Sequence, residues 1–157
     1  MEAFAEAAAR DSAMNPRLVN LRGAVHLHEG ELLSLQDDEA AALQQYNLAI
    51  AISPEREFLL ARGELYLEVK DYTRALGDLR GTLLLRPQGV DALKAHARTL
   101  YHIAERSRPG GRMQVLEMVI EEMTLLRAIV PNDEEVTKLL TWVLQVKQSC
   151  GVPSPQC

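Results

Sequence analysis

An all-α fold follows from three features of the sequence. Ala and Leu dominate while aromatics make up 4% of 157 residues; Ala and Leu lose little on entering a helix, whereas sheets are filled by β-branched and aromatic side chains. Helical apolar patterns come in pairs, each pair closed by a proline at Pro54, Pro87 or Pro131. Small residues, Gly23, Ala42, Gly63 and Ala75, stand at fixed places between large apolar ones, and two helices approach to about 8–10 Å only where a side chain is nearly absent. The length suits one domain with a real core and is too short for two ordinary ones.

Each element can be justified in order. Residues 2–13 are Ala-rich and helix-forming, with Phe4 and the alanines offering a small apolar face. Asn15-Pro16 breaks that run, and Pro suits the first turn of a next helix, expected from Pro16 to about Leu35. Leu21-Arg22-Gly23 lines up with Ala61-Arg62-Gly63 at an offset of 40, while Ala42, Tyr46, Ala49, Ile50 and Pro54 line up with Ala75, Leu79, Thr82, Leu83 and Pro87 at 33. The difference of 7 is two helical turns, so a longer first hairpin would keep its faces. An alternative register holds 33 throughout and pairs Gly30 with Gly63, but it matches fewer neighbours.

The second helical pair divides at Lys70-Asp71 and closes at Pro87. A third pair is longer, because Pro87 to Pro131 spans 44 residues. Its first helix runs from Val90 to about Glu105 with Leu93, Ala97 and Leu100 on one face, the loop RSRPGGR covers 106–112, and an apolar helix runs from Met113 to Val130. The last helix is expected from Asn132, a good N-cap followed by three acidic residues, to about Gln148. Its apolar residues Val136, Leu139, Leu140, Trp142, Val143, Leu144 and Val146 span about twice the ~100° of a one-sided helix. Residues 149–157, rich in Pro and Ser, read as a disordered tail that leaves Cys150 and Cys157 reduced in a cytosolic setting.

The stretch FLLARGELYLEVKDYTRALGDLRGTLLLRP, residues 58–87, resembles one unit of the tetratricopeptide repeat (TPR) family. Arg62-Gly63, Tyr66, Asp71-Tyr72, Ala75-Leu76, Leu83, Leu85 and Pro87 carry the resemblance. It implies a TPR-like array of antiparallel helical hairpins, an α-solenoid of about seven to eight helices forming a single domain over 1–148. Its repeats would cover 16–54, 55–88 and an elongated, degenerate 89–131, followed by a capping helix at 132–148.

The resemblance also implies a non-catalytic scaffold that holds a peptide or helix on the concave face made by the first helices. Carried over by position, that face takes Arg17, Asn20, Ala24 and His28 from the first repeat and Glu57, Leu60, Glu64 and Glu68 from the second. The third contributes Asp91, Lys94, Arg98 and His102, with Tyr101 beside it. The groove would then be acidic in the middle and basic toward the C-terminal end. It would suit a partner with a basic part beside Glu64 and Glu68 and an acidic part beside Lys94 and Arg98. A TPR subclass that grips chaperone C-terminal carboxylates uses Lys and Asn on the first two repeats; here Asn20, Ala24, Leu60, Ala61 and Glu64 stand there, so that clamp is absent. The alternative is a structural module, or part of a longer array, that self-associates as a homo-oligomer through Leu139, Trp142 and Val146.

Other function classes find little support. A balance of 17 Lys+Arg against 22 Asp+Glu repels nucleic acid, and no apolar run reaches the roughly 18 residues of a membrane span. The acidic N-terminus lacks the pattern of a targeting peptide, so a cytoplasmic protein is expected. His26 and His28, two apart on a helix, point about 200° away from each other and cannot chelate one ion, and HEGEL is not the HExxH zinc pattern. No phosphate loop or nucleophile elbow points to catalysis, and no cofactor is implied. Met113, Met118 and Met123 read as core filling, with an exposed Met-rich groove as the sharper alternative. Arg106, Arg108 and Arg112 form a local basic spot, read as a solvated loop or a contact for phosphate or an acidic protein. Arg62 is placed to bridge to Asp78 across its own hairpin, and Tyr46, Tyr66 and Tyr72 read as core.

Overall fold

The computed structural model describes residues 16–150, which form seven helices joined by short turns. The helix expected over 2–13 and the end of the tail lie outside the described residues. The helices are α1 (Pro16–Ser34), α2 (Glu39–Ile52), α3 (Arg56–Glu68), α4 (Tyr72–Leu85), α5 (Val90–Arg106), α6 (Pro109–Ile129) and α7 (Glu134–Cys150). Pairs α1–α2, α3–α4 and α5–α6 pack as hairpins, each helix rests on the next, and α7 closes the stack against α6.

The first two hairpins turn in the same way. Helix α3 ends with Lys70 in the left-handed region, φ 64°, and the Asp71 amide donates to the Tyr66 carbonyl, closing the last turn. Asp71 then caps α4 by accepting from the Arg74 amide. Thirty-three residues earlier Asp37 has φ 58°, the Asp38 amide donates to Leu33, and the Asp38 side chain accepts from Ala41.

Glycine packing repeats at the same interval. A Cβ at Gly63 would lie 3.0 Å from Leu79 Cγ, and one at Gly30 would lie 2.4 Å from the Tyr46 ring. The structural partner of Gly63 is therefore Gly30, and a single offset of 33 replaces the expected 40 for α1. Gly23 has a separate task, because a Cβ there would meet the Phe58 ring of α3 at 2.7 Å. Sequence similarity around Arg22-Gly23 outweighed the turn chemistry that fixes the register.

Three further boundaries differ from expectation. Helix α6 begins at Pro109 rather than Met113, because Pro is at ease in the first turn and the glycines that follow it are held there. Arg112 donates from Nε to the Ala104 carbonyl and from Nη2 to Glu105, covering the open end of α5 across that tight turn. The N-cap of α7 is Asp133, whose carboxylate accepts from the Val136 amide, instead of Asn132. Helix α7 reaches Cys150, so that residue ends a helix and does not belong to the tail.

The largest core lies in the C-terminal half. Leu116, Val119, Met123 and Leu126 of α6 and Val136 and Val143 of α7 are at most 1% exposed and pack with Leu93, Ala97 and Leu100. Each such side chain contributes about 1.5–3 kcal/mol through burial; on α7 this accounts for Val136, Leu140 and Val143, while Trp142 and Leu144 stay exposed. Met113 packs on the same core, while Met118 is exposed.

At the other end, α1 shows an uncovered stripe. Val25 and Leu32 are each 48% exposed, whereas Phe58 and Leu65, the matching residues of α3, are 3% and 2% exposed, Phe58 beside Gly23 of α1 and Leu65 against Ala42 and Tyr46 of α2. Among the described residues, no hairpin precedes α1 to cover that stripe.

Candidate functional site

Helices α3, α5 and α7 line hollows along one side of the stack. Two hollows meet there at Arg98. One, of about 320 Å³, is lined by Glu64, Leu67, Glu68, Arg98 and His102. The other, of about 600 Å³, is lined by Arg98, Glu134, Glu135, Lys138, Leu139 and Trp142. Together they make a groove from α3 to α7.

The middle of the groove is strongly acidic. Burial first, and then the charges of Glu31, Glu68 and Glu64, push the Tyr46 hydroxyl up to about 12. Glu64 is itself held above the usual carboxylate range, chiefly by burial and further by Asp91 and Glu68; Arg98 offsets part of this. Glu31, which lines neither hollow and pairs with His28 at 3.3 Å, was passed over by the 40-residue alignment as the α1 counterpart of Glu64. Its signal was the 33-residue register, which sets it level with Glu64.

The basic end is already occupied. Lys94 Nζ donates to Asp133 and, at 3.2 Å, to Glu135, and its side chain is 18% exposed. The Asp133 hydrogen bond is the main reason why Lys94 is held above its ordinary range, and Lys94 in turn holds Asp133 below its own. Arg98 lies 3.7 Å from Glu135 and remains half-exposed. Both cations therefore serve first to dock the start of α7.

The other sequence-selected residues fall in different settings. Leu60 packs against Ala75, Leu79 and Ala95. His102 stacks on Tyr72 with ring centroids 5.3 Å apart, and its Nδ1 is 3.0 Å from Glu105. Tyr101 is buried and donates its hydroxyl to Glu105, and Trp142 leans edge-on against it at 4.2 Å. Burial, then the Glu105 hydrogen bond, push the Tyr101 phenol up. Asn20 and His28 are exposed on α1, His28 paired with Glu31 at 3.3 Å and lying on the stripe of Val25 and Leu32.

Trp142 remains 41% exposed despite the Tyr101 contact, and Leu139 sits beside it in the larger hollow. Val146 lines a different hollow with Tyr101, Ala104, Glu105, Arg112 and Leu116. The three residues considered for self-association follow one face of α7 at three- and four-residue spacing. Of the loop arginines, Arg112 caps α5, and Arg106 lies over the Tyr72 ring at 4.4 Å. Among the described residues, no helix is long and apolar enough to cross a membrane.

No protein-family model and no curated protein matches this sequence. Solved structures do. The first TPR domain of Spaghetti (RPAP3), bound to the HSP90 peptide SRMEEVD, matches with TM-score 0.70 at 17% identity, covering 81% of this chain and 94% of that one. The Arabidopsis OM64 TPR domain gives 0.70 at 12% identity over 81% and 98%. The second TPR domain of human RPAP3, in complex with the HSP70 peptide SGPTIEEVD, gives 0.66 at 14% identity over 82% and 98%. The described residues therefore adopt the tetratricopeptide-repeat fold.

Proposed function

We propose that this chain is a non-catalytic protein-interaction scaffold that holds a peptide or helical segment of a partner in the groove between α3, α5 and α7. The observation that carries this reading is the meeting of two hollows at Arg98, which gives an open channel with polar walls and one apolar end. Support also comes from the similar structures that hold HSP90 and HSP70 peptides. Those peptides end in acidic sequence, and the acidic groove of this chain does not suit them. The sequence features argue for a cytoplasmic setting.

Self-association through the Trp142 edge is the competing reading, motivated by the 41% exposure of Trp142 beside Leu139. An affinity capture from cell extract compares the wild type with Glu64→Lys/Arg98→Glu, after equal helicity and equal mass in solution are established. Partners lost only from the variant support the groove. Identical partner sets, or a wild type that is a dimer while Trp142→Ala is a monomer, refute it.

A further inference from the structure

We propose that the segment held in this groove is cationic and apolar, with a Lys or Arg side chain seated beside Glu64 and Glu68 and an apolar side chain on Trp142 and Leu139. The proposal rests on the groove reading above and names its ligand class.

Charge complementarity is the first argument. Glu64 and Glu68 line the same hollow, and Asp91 adds to the negative field at Glu64. Among the described residues, Glu64, Glu68 and Asp91 have no ion-pair partner within 4.0 Å. Gathered like charges in a partly dry cleft raise one another's energy, and a guest cation relieves them all at once. Arg98 offsets part of this field at Glu64, but both nearby cations are engaged elsewhere. Lys94 is bound to Asp133 and Glu135, and Arg98 faces Glu135. An acidic guest would have to displace those carboxylates and would meet Glu134 and Glu135 on the far wall.

The apolar end is an independent observation. The hollow at α7 carries Leu139 and Trp142 in its lining, and Trp142 keeps 41% of its surface open although it packs on Tyr101. An aromatic held rigidly at one edge with a free face is a low-entropy anchor for an apolar or cationic side chain. Arg98 lines both hollows, so one extended segment can reach the two ends.

The test selects binders from a displayed random peptide library on the whole chain, then titrates them by the emission of Trp142, the single tryptophan. The expected winners carry Lys or Arg near Leu, Met or an aromatic, shift the Trp142 emission, and weaken roughly tenfold or more in Glu64→Gln/Glu68→Gln. Their affinity also falls as salt rises. Circular dichroism checks that the variant keeps its helicity. Acidic peptides that shift Trp142 and bind the Gln variant equally well would overturn the ligand class and leave the groove reading standing. Peptides that neither move Trp142 nor respond to Glu64→Gln/Glu68→Gln or Trp142→Ala would overturn both.

Discussion

Asp78 on α4 holds Arg62 on α3 in a two-point fork, with Nε donating to Oδ2 at 2.7 Å and Nη2 to Oδ1 at 2.8 Å. The third guanidinium nitrogen donates to Asn47 on α2 at 2.6 Å, so one arginine ties three helices and two hairpins together. Side-chain exposure is 20% for Arg62 and 11% for Asp78, between a surface pair and a buried one. Asp78→Ala should cost about 2 kcal/mol, between the ~0–1 of exposed pairs and the ~3–5 of a broken buried pair. Urea unfolding of Asp78→Ala, Arg62→Ala and the double variant measures it. The double variant should cost clearly less than the sum of the singles.

His96 and Glu122 make the corresponding cross-link in the third hairpin, Nδ1 to Oε1 at 2.6 Å. Here His96 Nε2 and Glu122 Oε2 are buried without a hydrogen-bond partner. A half-satisfied pair stabilises little. Glu122→Leu alone should destabilise by about 1–3 kcal/mol, while His96→Leu/Glu122→Leu should be near neutral or better, because the burial cost of both polar groups is removed. Thermal melts of the two variants decide it.

Glycine substitutions test the 33-residue register. Gly30→Ala should destabilise by about 1–3 kcal/mol through overpacking against Tyr46, and Gly63→Ala by less, since its nearest atom is 3.0 Å away rather than 2.4 Å. Adding Tyr46→Leu should restore much of the loss at Gly30 and none at Gly23. Gly63→Leu, with far more bulk against Leu79 and Asp78, should unfold the array.

These residues show how much the sequence disclosed. The helical hairpins, the Pro-closed repeats and the Arg62–Asp78 bridge were legible because they depend on local periodicity and on pairs within one hairpin. The register of α1 was not, since a three-residue likeness at Arg22-Gly23 competed with a turn whose evidence is conformational, at Asp37 and Lys70. In the groove, Glu64, Glu68, Arg98 and Trp142 were visible as types at helical spacing. The commitment of Lys94 to Asp133, 39 residues away, was invisible, because only folding brings the α7 cap to α5.

Glu64 gives a pH dependence with a definite sign. Its folded pKa lies above the ordinary 4.5, so the folded state binds more protons between those values and loses stability as pH rises through that window. Glu64→Gln should therefore be slightly more stable than the wild type at pH 7, by less than about 1 kcal/mol for a partly exposed charge. The difference should vanish below the ordinary carboxylate range. Melting curves at pH 3.5 and pH 7 provide the check.

The most direct test of the groove is a two-dimensional amide NMR titration of the isotope-labelled chain with a peptide containing one Lys and one Leu two or three residues apart, read at each backbone position. Shifts are expected at Glu64, Glu68, Arg98, Leu139 and the Trp142 indole, with the α1 stripe at Val25 and Leu32 silent. Shifts confined to that stripe, or none at millimolar peptide, would contradict the groove reading.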